Sequence, residues 1–499
     1  MEEAGGYSMV KNGRVKIRQA SKIGPEITED LKWTAVSLDE ILKCGFRLEA
    51  SVYDADARQA RENIDKCKWP KKNLSREFIQ NASYPGRFKR IYVEKQFGAP
   101  FILPSQINEI SPKPTKYISK ATYIDFEQIK VKLNTILLTR SGTIGNCTIV
   151  SETLKDVVFS DDVIRIILRN EDEVGYIYAF LKSQTGNVLI NTNNYGAVVS
   201  HIEPNHLENI TVPDPSPIIK QQIHDDIMES FRLLDESNRL IDEAQELLKN
   251  KLVLPDIEDI HPQYFDKKVD LKSYCVPLSK LDGRIEATYH QPIVDKTEQI
   301  IKKNAREVTT VGDPRISSAI ILPGRFKRIY VEEGFGAVFI GGKNVLENNP
   351  SNKKYLSMVH HEKRIKEQLT LKENIILVTC SGTIGKVNIV PKHWVGWTAN
   401  QHMLRVVPLN DSIAGYLYIW LSSIYAFSLI TRFTYGAVID EIDNNHMARV
   451  PVPLLSDIDL QNAINDIALD ANQKRYEAYC LEQKALKTLD EKVIFAKGN

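Results

Sequence analysis

The chain has no CxxC pair among its six cysteines, no apolar run long enough to span a bilayer, and a formal net charge of only +1. Each shortage closes off a class of function. Cys44, Cys67, Cys147, Cys275, Cys380 and Cys480 do not recur between the repeated halves described below: Cys147 stands where the other copy has Val387, and Cys380 where it has Arg140. A zinc or disulfide framework would have been copied with its domain, so these read as buried or incidental thiols of a cytosolic protein. The longest apolar runs, such as 374–380, fall far short of the ~20 residues that cross a membrane. The acidic start, Met1-Glu2-Glu3, is followed by no apolar stretch, so no secretory signal is expected. The expectation is a cytoplasmic protein without membrane contact.

Catalytic signatures are missing too. Gly382-Thr-Ile-Gly385-Lys386 has glycines and a lysine but not the spacing of a phosphate-binding P-loop, and its twin ends in Asn146. No Pro-Pro-aromatic tetrapeptide of an amino-methyltransferase is present, and no glycine-rich cofactor loop follows a strand. His360-His361 is not part of an HExxH helix. Pro255-Asp256 with Asp270-Leu-Lys272 imitates a nuclease core only loosely, in a linker where solvated charge is the simpler reading. The chain is expected to be no enzyme, to hold no metal and to bind no cofactor of its own.

What is present is a duplication. The decapeptide PGRFKRIYVE occurs at Pro85–Glu94 and again at Pro323–Glu332, an offset of 238. Ser141-Gly-Thr-Ile-Gly145 returns as Ser381–Gly385, Tyr195-Gly-Ala-Val198 as Tyr435–Val438, and Asn205-His206 as Asn445-His446, at an offset of 240. A period this long exceeds any solenoid unit. It implies two whole domains of one fold and a function that needs two copies of one surface.

The expected fold is α+β. Isoleucine-, valine- and threonine-rich runs at 91–93, 135–139, 148–150 and 163–168 read as strands, with short helices near 54–66 and 176–182. From Pro217 to Leu252 no further proline and no glycine occurs, and Ile227, Leu234, Ile241 and Leu248 recur every seven residues. That pattern predicts one long amphipathic helix with a coiled-coil seam, a rod of roughly 50 Å at 1.5 Å per residue. The closing segment repeats the plan with Ile464, Ile467, Ala471, Ala478, Leu481, Ala485 and Leu489 on one face. The predicted order is an arm (1–32), a first domain (33–216), a helix (217–253), a linker and second domain (254–456) and a second helix (457–499). The two helices are expected to bury their stripes against each other, antiparallel.

Charge is distributed unevenly. Arg87, Lys89 and Arg90 stud the first repeated loop, Arg325, Lys327 and Arg328 the second, and acids gather on the first long helix from Asp225 to Glu246. A cationic loop with an aromatic suits phosphate contact; a solvated hairpin whose Phe88 or Phe326 enters the core is the alternative. The Ser-Gly-Thr-Ile-Gly turns present Ser141, Thr143, Ser381 and Thr383, with Lys386 beside the second. They suit phosphate through backbone N–H groups, or serve simply as tight turns. The copies differ beside this shared scaffold: Arg140 against Cys380, and Asp161-Asp162 against Gln401-His402. Two readers of different base sequences would diverge there. Arginine pairs with guanine and Asn or Gln with adenine, which makes Arg140, Asn400, Gln401 and His402 candidate base contacts. Tyr195, His201 and Tyr435, in the repeated Tyr-Gly-Ala-Val segments, complete the candidate set.

Taken in order and twice over, these motifs resemble the specificity subunit of type I restriction–modification systems. The resemblance rests on Arg-Leu-Glu-Ala (47–50), Thr-Arg-Ser-Gly-Thr-Ile-Gly (139–145), Tyr-Gly-Ala-Val-Val-Ser-His-Ile (195–202), Val-Pro-Asp-Pro (212–215) and Gln-Gln-Ile (221–223). It implies two target-recognition domains reading halves of a split site in double-stranded DNA, spaced by the long helices. It also implies methyltransferase subunits docked on those helices, carrying S-adenosylmethionine, with restriction or translocase subunits joined through them. A recognition subunit of another multi-subunit modification or phage-defence system, and a duplicated protein-interaction scaffold, remain alternatives.

Overall fold

The computed structural model describes residues 50–114, 116–121, 125–192, 200–260, 273–351 and 353–497, together with 8–10, 14–16, 30–31, 35–43, 46 and 48. Ser8–Val10, Arg14–Lys16 and Asp30–Leu31 form a three-stranded antiparallel sheet. The arm therefore carries strands, each too short to show a period in the sequence.

The first domain opens with helix α1 (Ala55–Lys66), whose N-terminus is capped by the Asp54 side chain. Besides a short antiparallel pair, Lys71–Asn73 with Thr211–Pro213, eight strands follow: β1 (Ile79–Ser83), β2 (Tyr92–Val93), β3 (Gly98–Ile102), β4 (Lys116–Ser119), β5 (Ile136–Thr139), β6 (Cys147–Ile149), β7 (Val158–Phe159) and β8 (Val163–Leu168). They make two four-stranded sheets, in the orders β1-β8-β5-β6 and β2-β4-β3-β7. Only β3 and β7 pair in parallel. Every residue of β5 is buried. Ile136 and Leu138 enter one core, and Leu137 enters another on the opposite face. A strand covered on both faces needs the continuous apolar run its sequence shows. Helix α2 (Val174–Lys182) then leads back to the long helix α3 (Pro217–Lys251), with Pro217 in its first turn, where a missing N–H costs nothing.

The second domain repeats this strand for strand. β9 (Ser317–Ile321), β10 (Tyr330–Val331), β11 (Gly336–Ile340), β12 (Lys354–Ser357), β13 (Ile376–Thr379), β14 (Val387–Ile389), β15 (Thr398–Ala399) and β16 (Met403–Pro408) form sheets in the orders β9-β16-β13-β14 and β10-β12-β11-β15. The one parallel pair recurs as β11 with β15. Helix α4 (Asp411–Leu421) takes the place of α2, and helix α5 (Ile458–Leu489), capped by Asp457, closes the chain with a wider turn at Asp490–Ile494.

Contacts between α3 and α5 climb one helix as they descend the other. They run from Asp226–Lys484 (2.8 Å) through the Ser230 hydroxyl donating to the Ala478 carbonyl (2.7 Å) and Glu236–Lys474 (3.0 Å), to Lys251–Asp457 (3.1 Å). The two helices therefore lie side by side and antiparallel. Buried positions follow a three-four spacing: Ile223, Ile227, Ser230, Ser237, Ile241, Ala244 and Leu248 on α3, and Ile464, Ala468, Ala471, Arg475, Ala478, Ala485 and Leu489 on α5. Three of these seven on α3 and five of the seven on α5 are small or polar. Leu234, Ile467 and Leu481, expected in the seam, are only half-buried, and Leu234 borders the first domain near Tyr178 and Ile107.

Each domain completes its core on both helices. The first takes Ile223 and Ile227 from α3 and Ala485, Leu489, Val493 and Ile494 from the far end of the chain; the second takes Leu240, Ile241, Ala244 and Leu248 together with Ile464, Ala468 and Ala471. Docking is closest at one glycine per domain. A Cβ on Gly175 would lie 2.7 Å from the His224 backbone oxygen, and one on Gly415 would lie 2.2 Å from that of Asn465. The picture of two domains kept wholly apart by a rod needs one correction. Beside the helix pair the Ile110 N–H donates to the Leu346 carbonyl at 2.8 Å, and Lys386 reaches Glu109 of the first domain at 3.2 Å.

Candidate nucleic-acid interface

The repeated loops leave β1 and β9 and project their cations on either side of a half-buried phenylalanine. Phe88 packs on the Phe101 and Ile118 cluster, Phe326 on the Phe339 and Leu356 cluster. The ring is anchored while Arg87, Lys89, Arg325 and Lys327 stand exposed. Arg364 covers the second ring at 4.9 Å and donates to the Gly324 carbonyl at 3.1 Å.

The third cation of each loop turns inward over an equivalent aromatic. Arg90 lies 5.5 Å from the Phe101 centroid and Arg328 5.7 Å from that of Phe339. Their acceptors differ. Arg90 is bonded to the Asp161 carboxylate and donates to Ser160 Oγ at 3.3 Å, whereas Arg328 donates to Gln401 Oε1 at 2.8 Å. Burial lowers the Arg90 pKa, and the Asp161 partner more than restores it, so that it ends above the usual value.

Arg140 does not present a free guanidinium. It is 6% exposed, bonded to the Glu203 carboxylate, donates to the Ile202 carbonyl at 3.3 Å, and lies 4.1 Å over the Tyr84 ring. Tyr84 donates to the same Glu203 at 2.7 Å, which raises the phenol pKa. Ser141 bridges to His201, and Ser381 correspondingly to Glu441. Gly142 and Gly382, at φ +74° and +76°, set turns that a side chain would strain, leaving Thr143 and Thr383 exposed at the tips. Lys386 is occupied at the domain junction, where the carboxylate of Glu109, its side chain 6% exposed, needs a counter-charge.

In the second domain Arg325 pairs with Glu441 at 3.0 Å, and Ser381 Oγ donates to the same carboxylate at 3.4 Å. Tyr435, 42% exposed, exchanges two backbone bonds with Glu441. Asn400 is turned into its own loop, its Oδ1 accepting the His402 N–H at 2.9 Å. Gln401 Nε2 lies 3.1 Å from His402 Nε2. Burial, with Arg328 nearby, lowers the His402 pKa and favours the neutral ring. Tyr195 lies outside the described residues. The structure thus gathers Arg325, Arg328, Ser381, Gln401, His402 and Tyr435 around Glu441, and Arg90, Arg140, Ser141 and His201 around Asp161, Asp162 and Glu203. Among the described residues no group of three or more His, Cys, Asp or Glu could hold a metal ion, and no single helix is long and apolar enough to cross a membrane.

Glu203 and Glu441 carry no sequence signal as partners, because the groups they hold lie 60 to 119 residues away. The signals available are positions 140 against 380 and 161 against 401, where the copies differ in charge.

No curated protein sequence matches the chain. Among solved structures, the S subunit of a type I restriction–modification system from M. genitalium is 13% identical, covering 85% of this chain and 96% of that one at a TM-score of 0.34. The HsdS subunit from Thermoanaerobacter tengcongensis is likewise 13% identical, covering 86% and 96% at 0.26. Both TM-scores are low, and the assignment comes from sequence. Residues 63–246 and 329–484, about two thirds of the chain and one block in each repeat, match a single family. The chain belongs to the family of the type I restriction modification DNA specificity domain.

Proposed function

We propose that this chain is the non-catalytic recognition subunit of a type I restriction–modification complex, with each domain reading one half of a bipartite site in double-stranded DNA. The α3–α5 pair acts as an antiparallel coiled coil that sets the spacing. It also docks methyltransferase subunits, which bind S-adenosylmethionine and bring in restriction or translocase subunits; this chain binds no cofactor itself. The observation that carries the reading is the same exposed cationic loop at the same strand exit in two domains built on one helix pair. On the outer face of α3, Arg232 and Arg239 pair with Glu229, Glu236 and Glu243, and the acids left over, such as the exposed Asp225, disfavour phosphate and suit protein partners instead. The cytoplasm, where such a complex meets DNA, is the proposed location.

The test is binding of duplex DNA by the full chain across a salt series. Each phosphate contact contributes about 0.9 to the slope of log K against log salt, so affinity must fall steeply; flat dependence returns the chain to a protein-interaction scaffold. A footprint on the specific site should show two protected blocks flanking an unread gap, and one continuous block would contradict the two-reader plan.

A further inference from the structure

We infer that the repeated loop arginine grips DNA in the second domain only: Arg328 is held in place by the neutral Gln401, whereas Arg90 is neutralised by Asp161. This rests on the proposed DNA-reading function and refines it.

The two guanidinium groups are equivalent in the fold. Each follows the same Gly-Arg-Phe-Lys sequence, lies over the same phenylalanine and bonds to the side chain at the same place after the parallel strand β7 or β15. One atom set differs. Asp161 is a carboxylate with a side chain 7% exposed, Arg90 is itself 30% exposed, and Asp162 stands 3.9 Å from both Arg90 and Arg140. A cation so paired presents no net charge to a phosphate, and it releases no counterion when DNA arrives. Breaking the pair to free Arg90 would leave a buried carboxylate uncompensated. Gln401 offers Arg328 only a carbonyl oxygen. That bond fixes direction without cancelling charge; the Nε N–H is buried without a partner, so the terminal Nη donors are the ones left for guanine or phosphate.

The surroundings extend the contrast. Around the first loop stand four cations (Arg87, Lys89, Arg90, Arg140) and three carboxylates (Asp161, Asp162, Glu203). Around the second, among the described residues, stand four cations (Arg325, Lys327, Arg328, Arg364) and two carboxylates, Glu441 and Asp443, the latter at the position that matches Glu203. The second domain therefore carries the larger share of the electrostatic grip, and position 161/401 sets that share.

Three variants of the full chain test this by salt-dependent binding to a mixed-sequence duplex, each first checked for an unchanged melting temperature. Arg328→Gln should lower the salt slope by about one and weaken binding about tenfold at ~0.1 M salt. Replacing the Arg90–Asp161 pair together, as R90Q with D161N, should leave slope and affinity where they are. Asp161→Asn alone should raise the slope by about one, because it unmasks Arg90. The inference is overturned if the paired replacement weakens binding as much as Arg328→Gln, or if Arg328→Gln leaves the slope unchanged. Failure of the DNA-reading proposal looks different: the wild-type chain itself would then show no steep slope.

Discussion

Gly415→Ala is the most discriminating single substitution, because two well-understood effects give it opposite signs. Gly415 sits inside α4, where replacing glycine by alanine ordinarily stabilises a helix by about 1 kcal/mol. Here α4 crosses α5 with no room for a side chain. The added Cβ would meet the Asn465 carbonyl oxygen at 2.2 Å, its carbon at 3.0 Å and the Ala468 Cβ at 3.1 Å. None of these is the end of a flexible chain. The Gly415 N–H also donates to Asn465 Oδ1 at 2.9 Å, so separating the helices stretches a buried hydrogen bond as well. Overpacking a close contact costs about 1–3 kcal/mol, occasionally more, and a 2.2 Å approach to backbone belongs at or above the top of that range. The net expectation is a loss of about 1–2 kcal/mol, or roughly 2–8 °C in melting temperature for a domain of this size. Thermal denaturation followed by circular dichroism reads it directly. A melting temperature equal to wild type, or higher, would mean that propensity wins and that α4 does not dock as described.

Two further perturbations probe the helix pair and the domain junction. Arg475, 4% exposed in the seam, donates to Ser237 Oγ (3.0 Å) and Asn388 Oδ1 (3.1 Å); Arg475→Ala removes that packing and strands both acceptors, so denaturant titration should show a loss of about 3 kcal/mol, and a loss below about 1 would mean the site is hydrated. Burial raises the Glu347 pKa to about 7, with Glu109 across the junction adding to the rise. Between about 4.5 and 7 the folded state keeps a proton that the unfolded chain has released, so stability should fall as pH rises through that window and level off above it. Glu347→Gln should flatten the profile there, and an unchanged profile in melts across pH would refute the assignment.

Regular elements were legible where packing and local pattern agreed. The run Val163–Leu168 is a strand at the bounds expected, because it is apolar but for Arg165, and the stretch from Pro217 is one helix, because it holds no glycine or further proline and spaces its apolar residues at helical period. The seam was half legible. The isoleucine and leucine row at seven-residue spacing stands out, but Ser230, Ser237 and Arg475 belong to the same interface and look like solvent-facing residues until the partner helix supplies their bonds. The candidate interface was legible as a list of cations and illegible as a charge pattern. Which arginines are masked depends on Asp161, Glu203 and Glu441, brought there by sheet topology from far along the chain. Lys386 illustrates the same limit, since nothing local announces Glu109 of the other domain.

The first domain is sealed from the far end of the polypeptide. Trp69 donates to the Lys492 carbonyl at 2.7 Å, Lys68 to that of Ala496 at 2.8 Å, and Leu489, Val493 and Ile494 sit in its core. During synthesis that domain therefore stays open until the segment through Ala496 has emerged. Removing residues 489–496 spares both reading surfaces yet leaves the first domain's core incomplete, so such a truncation should cost the first half-site before the second.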